Sequence, residues 1–297
     1  MKKQLRITIG ALILVATIAV FANYVHGHPT IVSKLGSTNP LLIGVLILIY
    51  IVFSGALALV LHFSVRLFDV QIDAKESVLL NSYSSLVNFF GPGQSGPAFR
   101  GLYLKKRHGL GLKKYLFATL LYYGFYAVIS ACLLAVGSRP WWQTLVLVTV
   151  TAGVSIGVIR WYTRKRLQKG TRLQASNIWL IGAATALQIA MQIVAFYLEL
   201  RSINPHISIS QVLTYTGAAN FALFVSLTPG AIGIREAFLV FTGQLHHIAN
   251  STIVAANVID RGAYLLLLGI LFLVVIGMHA NDKLRLMRVT SKNVSKS

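Results

Sequence analysis

One cysteine, Cys132, stands among the 297 residues, and it lies within an apolar run. That excludes a disulfide framework and cysteine-built zinc modules. Acidic residues are nearly as scarce: Asp69, Asp73, Glu76, Glu199, Glu236, Asp260 and Asp282 are the whole set. Charged residues make up 11% of the chain, against ~25% in a soluble domain. Hydrophobic residues reach 56%, and the mean hydropathy is +0.70. These balances exclude a soluble globular enzyme and a disordered chain, and they point to the bilayer as solvent. Also missing are a Ser-His-Asp set, paired catalytic carboxylates and a Walker motif, so the chain is expected not to be an enzyme. His246 and His247 are adjacent, face different directions on a helix and have no cysteine or nearby carboxylate beside them. No metal site and no cofactor are expected.

Basic residues are plentiful: 27 Lys and Arg give a net charge of +20. In a soluble protein that excess suggests nucleic acid. Here 22 of the 27 fall in four stretches, residues 1–6, 62–114, 160–176 and 279–297. They are topology signals first and contacts for anionic lipids second, and no nucleic-acid partner is expected.

Apolar runs occur at about 7–25, 41–61, 115–137, 141–159, 177–200 and 252–278. Each is long enough for a hydrocarbon core of ~30 Å. The positive-inside rule then puts both termini and two basic loops in the cytoplasm of a multi-pass plasma-membrane protein, with 26–40 outside. The start, Met1-Lys2-Lys3-Gln4-Leu5-Arg6 with Val20-Phe21-Ala22 further on, has the outline of a signal peptide. The length of the run and the topology count read it instead as a retained span.

Two further apolar stretches, about 77–104 and 208–248, are broken by Gly and Pro. The breaks read Phe89-Phe90-Gly91-Pro92-Gly93-Gln94-Ser95-Gly96-Pro97 and Leu227-Thr228-Pro229-Gly230-Ala231-Ile232-Gly233. No uniform helix runs through either. Pro92 and Pro229 are 137 residues apart, and so are the starts of the spans near 115 and 252. Each half therefore reads span, span, broken segment, span, entered from opposite sides. This predicts an inverted repeat with halves of about 5–138 and 139–280, whose re-entrant breaks meet near the midplane. A basic tail, 281–297, follows.

The breaks carry the candidate site. Gly91-Pro92-Gly93-Gln94-Ser95-Gly96 fits GxGxxG in form only, since it lacks a βαβ setting and a downstream acid. Its freed amides suit an anion instead, as do those around Gly230 and Gly233. Arg100 follows the first break. Arg235-Glu236 follows the second, and Asp260-Arg261 lies about eight residues into the last span. Embedded ionisable groups mark either a pathway or an internal ion-paired lock. Asn88 and Asn220 precede the breaks and are expected to bond freed carbonyls there; with Pro92, Pro97 and Pro229 they are the expected structural break or hinge residues. Trp141-Trp142 reads as an interfacial anchor. Tyr122, Tyr123 and Tyr126 read as packing residues.

The run Asn88, Gly91-Pro92-Gly93, Gly96 and Arg100, together with Thr228-Pro229-Gly230-Ala231-Ile232-Gly233-Ile234-Arg235-Glu236, resembles the lysylphosphatidylglycerol synthase transmembrane-region family, also called the flippase-like domain family. Pro229, Gly230, Gly233 and Glu236 fit its Pro-Gly-x-x-Gly-x-x-Glu pattern. The likeness spans about residues 5–280. It implies a membrane module that moves aminoacylated phosphatidylglycerol between leaflets; in relatives a separate acyltransferase-like domain makes that lipid, and no such segment stands in these 297 residues. Other relatives belong to polyprenyl-linked sugar pathways, so the lipid itself does not carry over.

The reading is thus an all-α polytopic membrane protein of about six full spans and two re-entrant segments, forming one flippase-like domain over 1–280. It is expected to bind and translocate an anionic lipid of aminoacyl-phospholipid or polyprenyl-phosphate type. Arg100, Arg235, Glu236, Asp260, Arg261, Gly91, Gly93, Gly230 and Gly233 are its candidate binding residues, with Asp260 the candidate proton carrier. A lipid-modifying enzyme or glycosyltransferase is a possible partner. The rival readings are a small-solute or ion transporter, a non-transporting subunit of a lipid or glycan synthesis system, and an intramembrane enzyme.

Overall fold

The computed structural model describes residues 26, 38–90, 95–136, 141–166, 173–224 and 234–294. Its first long helix, α1 (Pro40–Arg66), opens on a cap: Asn39 accepts from the Leu41 amide at 2.9 Å, and Pro40 needs no amide partner in the first turn. The chain leaves α1 through a turn in which Asp69 takes φ 60°. There follow α2 (Ala74–Phe90), α3 (Ser95–His108), α4 (Leu112–Ala135), α5 (Trp141–Arg166), α6 (Ala175–Ile203), α7 (Ile209–Phe224), α8 (Ile234–Phe241), α9 (Gly243–His246) and α10 (Asn250–Val294). No strand occurs among the described residues.

Among the described residues, five helices are long and apolar enough to cross a bilayer: 40–66, 112–135, 142–161, 176–203 and 250–276. They fall on the apolar runs expected at 41–61, 115–137, 141–159, 177–200 and 252–278. The run expected at 7–25 lies outside the described residues.

Each broken stretch yields a helical pair. In the first, Ser95 Oγ donates to the Val87 carbonyl at 2.9 Å. At the far end, Tyr103 and His108 reach back to Glu76. These ties make α2 and α3 an antiparallel hairpin. Close contact needs Gly96, where a Cβ would sit 2.6 Å from the Ser84 carbonyl oxygen. The second stretch folds likewise: Gln211 of α7 donates to the His247 carbonyl, and Tyr215 stacks edge-on with His246. Leu239 of α8 packs into the same buried cluster as Val212, Tyr215 and Ala219 of α7.

The long helices join these hairpins. α1 lies antiparallel along α6, with the Gln174 amide on the Leu67 carbonyl at one end and Leu46 against Ala195 near the other. α10 runs beside α1, α2 and α6. α4 packs on α7, and α5 lies along α4 with Leu145, Val150 and Val154 outward. One core cluster gathers α1, α4 and the first hairpin around Leu61, Leu104 and Phe117; another gathers α6, α7, α8 and α10 around Leu200, Leu239 and Ile253. In lipid the hydrophobic effect does not drive helices together, so close packing at small residues carries more of the association. The tightest such approach is α7 on α4, where a Cβ on Gly217 would meet Leu134 N at 2.4 Å and Leu134 Cα at 2.7 Å.

Two predictions follow from this packing. Gly217→Val forces α4 and α7 apart and lowers stability by about 2 kcal/mol or more, as overpacking does. Gly55→Ala, where a Cβ meets nothing within 4 Å, is neutral or raises stability by up to ~1 kcal/mol. Thermal melting in detergent, read by size-exclusion chromatography, checks both; equal melting of the two variants would contradict the packing. The second concerns the first hairpin's open end. Glu76 Oε1 accepts from Tyr103 at 2.6 Å and from His108 Nε2 at 2.8 Å. Partial burial pushes the Glu76 carboxyl up, but the Tyr103 and His108 hydrogen bonds and the nearby Arg107 outweigh it and hold the group below its ordinary range. The Tyr103 phenol is pushed to about 12 by burial and by Glu76. A carboxyl lowered in the fold stabilises it above the ordinary carboxylate pKa and loses that effect as pH falls through the lowered value. Glu76→Gln therefore melts below wild type at pH 7, by about 1–3 kcal/mol, and the gap closes as the medium is acidified below pH ~4.

Candidate functional site

The second hairpin's inner helix, α8, is only 8 residues long and carries Arg235-Glu236 in its first turn. α10 carries Asp260-Arg261 eleven residues from its start. Where α8 lies against α10 the four groups pair in register. Arg235 Nη1 donates to Asp260 Oδ2 at 2.6 Å, and Arg261 Nη2 donates to Glu236 Oε1 at 3.0 Å. Arg261 Nε adds a longer bond to the same oxygen. Arg235 is 8% exposed, Asp260 6% and Arg261 9%, so these are interior charges. Removing one partner of a buried pair costs ~3–5 kcal/mol, because the other is stranded.

Arg235 is only partly used by its ion pair. Its guanidinium lies over the Phe196 ring, 5.1 Å from the centroid. Its Nη2 is buried and has no hydrogen-bond partner among the described residues. Asn257, one turn before Asp260 on α10, donates to the Ile253 carbonyl and to the Tyr215 hydroxyl, and its Oδ1 is likewise buried and unpartnered. A buried planar cation with a spare donor is chemistry that suits an anionic group, and the facing helix α10 carries a spare amide acceptor at Asn257.

The other side of Asp260 leads to residues that sequence reasoning missed. Tyr50 of α1 hydrogen-bonds Asp260 Oδ1, and the same hydroxyl lies 3.0 Å from Glu199 Oε1 of α6. Glu199 is 1% exposed. Tyr264, one turn after Asp260, meets the Tyr50 ring edge-on. The signal for Glu199 was present as an acid within an apolar run; Tyr50 has no such mark.

A second missed feature is a polar ladder across α4, α6 and α7. Tyr122 donates to Gln188 Oε1 at 3.1 Å; Tyr126 donates to Asn220 Oδ1 at 2.7 Å and approaches Gln192; Asn220 donates to Ser130 at 3.0 Å. Tyr122 and Tyr126 are thus hydrogen-bonding residues as well as packing ones. Their spacing of four, shared by Gln188 and Gln192, was the readable signal.

The structure brings Arg235, Glu236, Asp260 and Arg261 into one cluster. Arg100 is not a member of it. It sits on α3 within electrostatic reach of Tyr122, and its Nε is buried without a partner among the described residues. Asn88 and Asn220 act otherwise than expected: Asn88 accepts from the Gly96 amide at 3.3 Å, joining the two helices of the hairpin, and Asn220 bonds α4 side chains. Neither is seen on a freed carbonyl. Pro97 lies in the first turn of α3, where a missing amide costs nothing, and does not break that helix. Gly91, Pro92, Gly93, Pro229, Gly230 and Gly233 lie outside the described residues. His246 is buried with Nε2 3.1 Å from the Leu239 carbonyl.

Comparison with known proteins bears on the whole chain. None of the curated proteins matches it. The family described as Lysylphosphatidylglycerol synthase TM region matches residues 4–271, a stretch that takes in both hairpins and the buried charges. The chain therefore belongs to the lysylphosphatidylglycerol synthase TM region family of integral membrane proteins.

Proposed function

We propose that this protein binds an anionic lipid headgroup at Arg235 and moves the lipid between leaflets. One observation carries the reading: Arg235 is buried, held through Nη1 by Asp260, and has Nη2 without a partner among the described residues. A guanidinium kept at depth with a donor to spare suits a phosphate or carboxylate brought in by a ligand. Family membership and the apolar helices supply the membrane setting, and the headgroup is of aminoacyl-phospholipid or polyprenyl-phosphate type.

In this reading the α2–α3 and α7–α8 hairpins are re-entrant, entered from opposite faces, and the two halves form an inverted repeat of six spans in all. The repeated order of helix, hairpin and helix among the described elements supports it, as does the antiparallel pairing of α1 with α6. Both termini are cytoplasmic, in the plasma membrane, and the basic loops support that orientation. Arg100 is a second anion contact and Asn257 a polar one. The protein moves lipid without chemistry of its own and supplies a lipid-modifying enzyme or glycosyltransferase.

The test of the site is Arg235→Lys, which keeps the charge and loses the planar fork. In proteoliposomes of phosphatidylcholine with fluorescent phosphatidylglycerol, wild type transfers the probe between leaflets. The Lys variant, expressing and melting normally, transfers it about 10–100-fold more slowly, the loss of one charge-assisted hydrogen bond. Undiminished transfer by a well-folded variant refutes the headgroup role and leaves the four charges as a structural lock. The orientation is checked by Ser33→Cys, which labels from outside in intact cells; labelling only after permeabilisation reverses the topology.

A further inference from the structure

The Tyr50 hydroxyl lies within hydrogen-bond reach of two carboxyl oxygens, Glu199 Oε1 at 3.0 Å and Asp260 Oδ1. A phenol has one proton to donate. If both carboxyls were ionised, one contact would set two lone pairs against each other in a buried site. One of the two acids therefore carries a proton and donates it to the Tyr50 oxygen. Asp260 is ion-paired to Arg235 through its other oxygen, so it is the ionised one. The proton is on Glu199, which is 1% exposed and takes part in none of the ion pairs described above.

Charge balance agrees. Glu199, Glu236 and Asp260 meet Arg235 and Arg261, so with Glu199 neutral the centre sums to zero. The titratable and charged groups facing Glu199 are Tyr50 from α1, Tyr215 from α7, Arg235 from α8 and Asp260 from α10. Tyr264 stacks behind Tyr50. From α4, Tyr122 and Tyr126 face Gln188 and Gln192 of α6. On α6 itself, Arg201 turns outward to Tyr197.

We infer that Glu199 is a proton-binding site, neutral at rest, and that the chain Glu199–Tyr50–Asp260–Arg235 links its proton to anion binding at Arg235. When Glu199 gives its proton to water, its carboxylate takes the Tyr50 O–H, which swings away from Asp260. Asp260 then holds Arg235 with no competing donor, and two carboxylates face one guanidinium. Arg235 becomes a poorer site for a third anion. When Glu199 is protonated, Tyr50 returns to Asp260, the field at Arg235 is positive again and the anion binds. By reciprocity, in the pH range where Glu199 titrates, anion binding draws a proton onto it. No covalent bond changes other than that O–H. The linkage rests on the reading of Arg235 as the headgroup site; the resting proton does not.

The experiment has two arms on the full-length protein in phosphatidylcholine nanodiscs. Infrared difference spectroscopy at pH 7 is expected to show the C=O stretch of a protonated carboxylic acid in wild type, lost in Glu199→Gln. Absence of the band in wild type, or its persistence in the variant, overturns the inference. Calorimetry with short-chain phosphatidylglycerol, whose phosphodiester stays ionised throughout, reads the linkage. Wild-type Kd is expected to rise about tenfold per pH unit once Glu199 titrates. Glu199→Gln, which copies the neutral acid, flattens that rise. A flat wild-type profile overturns the linkage. Absence of binding at any pH overturns the Arg235 reading and the linkage with it, while the infrared band still decides the resting proton. Should Glu199→Gln fail to fold, Tyr50→Phe takes its place: the acid's C=O band shifts as its phenol partner is lost, and an unmoved band overturns the inference.

Discussion

A guanidinium inside an apolar helical assembly must be neutralised where it stands, and the Arg235–Asp260 pair is what meets that demand here. It fixes the inner end of α8, a helix too short to hold itself. Its apolar contacts contribute less than they would in water, because lipid is as apolar as Leu239 and the surroundings gain little by its burial. The pair therefore sets where α8 sits on α10, and the Glu236–Arg261 rung one residue along fixes its rotation. From that docking follow the approach of Phe196 to the guanidinium and the packing of Tyr215 against His246.

Neutrality also explains why the centre extends beyond those four groups. Two rungs of opposite charge would be complete alone, yet Tyr50 attaches to the other oxygen of Asp260 and carries Glu199 on the same hydroxyl. A lock gains nothing from a third acid, here 1% exposed, whose desolvation is costly at any distance from its partners. Polar groups kept at that cost in a membrane interior mark function more often than architecture. The ladder of Tyr122, Tyr126, Gln188, Gln192 and Asn220 is a contrasting case, since its members largely satisfy one another and hold α4, α6 and α7 in register.

How much of this was legible depended on the range of the interaction. The spans were readable because a bilayer imposes one length on each, and five of the expected runs coincide with helices. That Arg235, Glu236, Asp260 and Arg261 belong together was also readable, from charge scarcity and local balance. The pairing of Tyr50 with residues 149 and 210 positions away left no pattern in the sequence, because it arises only when α1, α6 and α10 converge. Asn88 and Asn220 precede the breaks in sequence, but their partners depend on which helix packs opposite. Composition does not encode that choice. The Gly-Pro segments of the family pattern, residues 91–93 and 229–233, lie outside the described residues, so the site rests on the helices flanking them.

The charged ties of the two hairpins lie at different ends. The first is clasped at its open end, where Glu76 ties α2 to Tyr103 and His108 of α3. The second is clasped at its inner end, where Arg235 meets Asp260. A ligand shifts a conformational equilibrium only by its differential affinity for the two states. On the reading of Arg235 as an anion site, an anion arriving at depth has such a differential at the second hairpin, because it competes there with Asp260 for the same guanidinium. It leaves the Glu76 clasp untouched. On that reading the element such competition bears on first is α8, whose place on α10 is set by the Arg235–Asp260 pair.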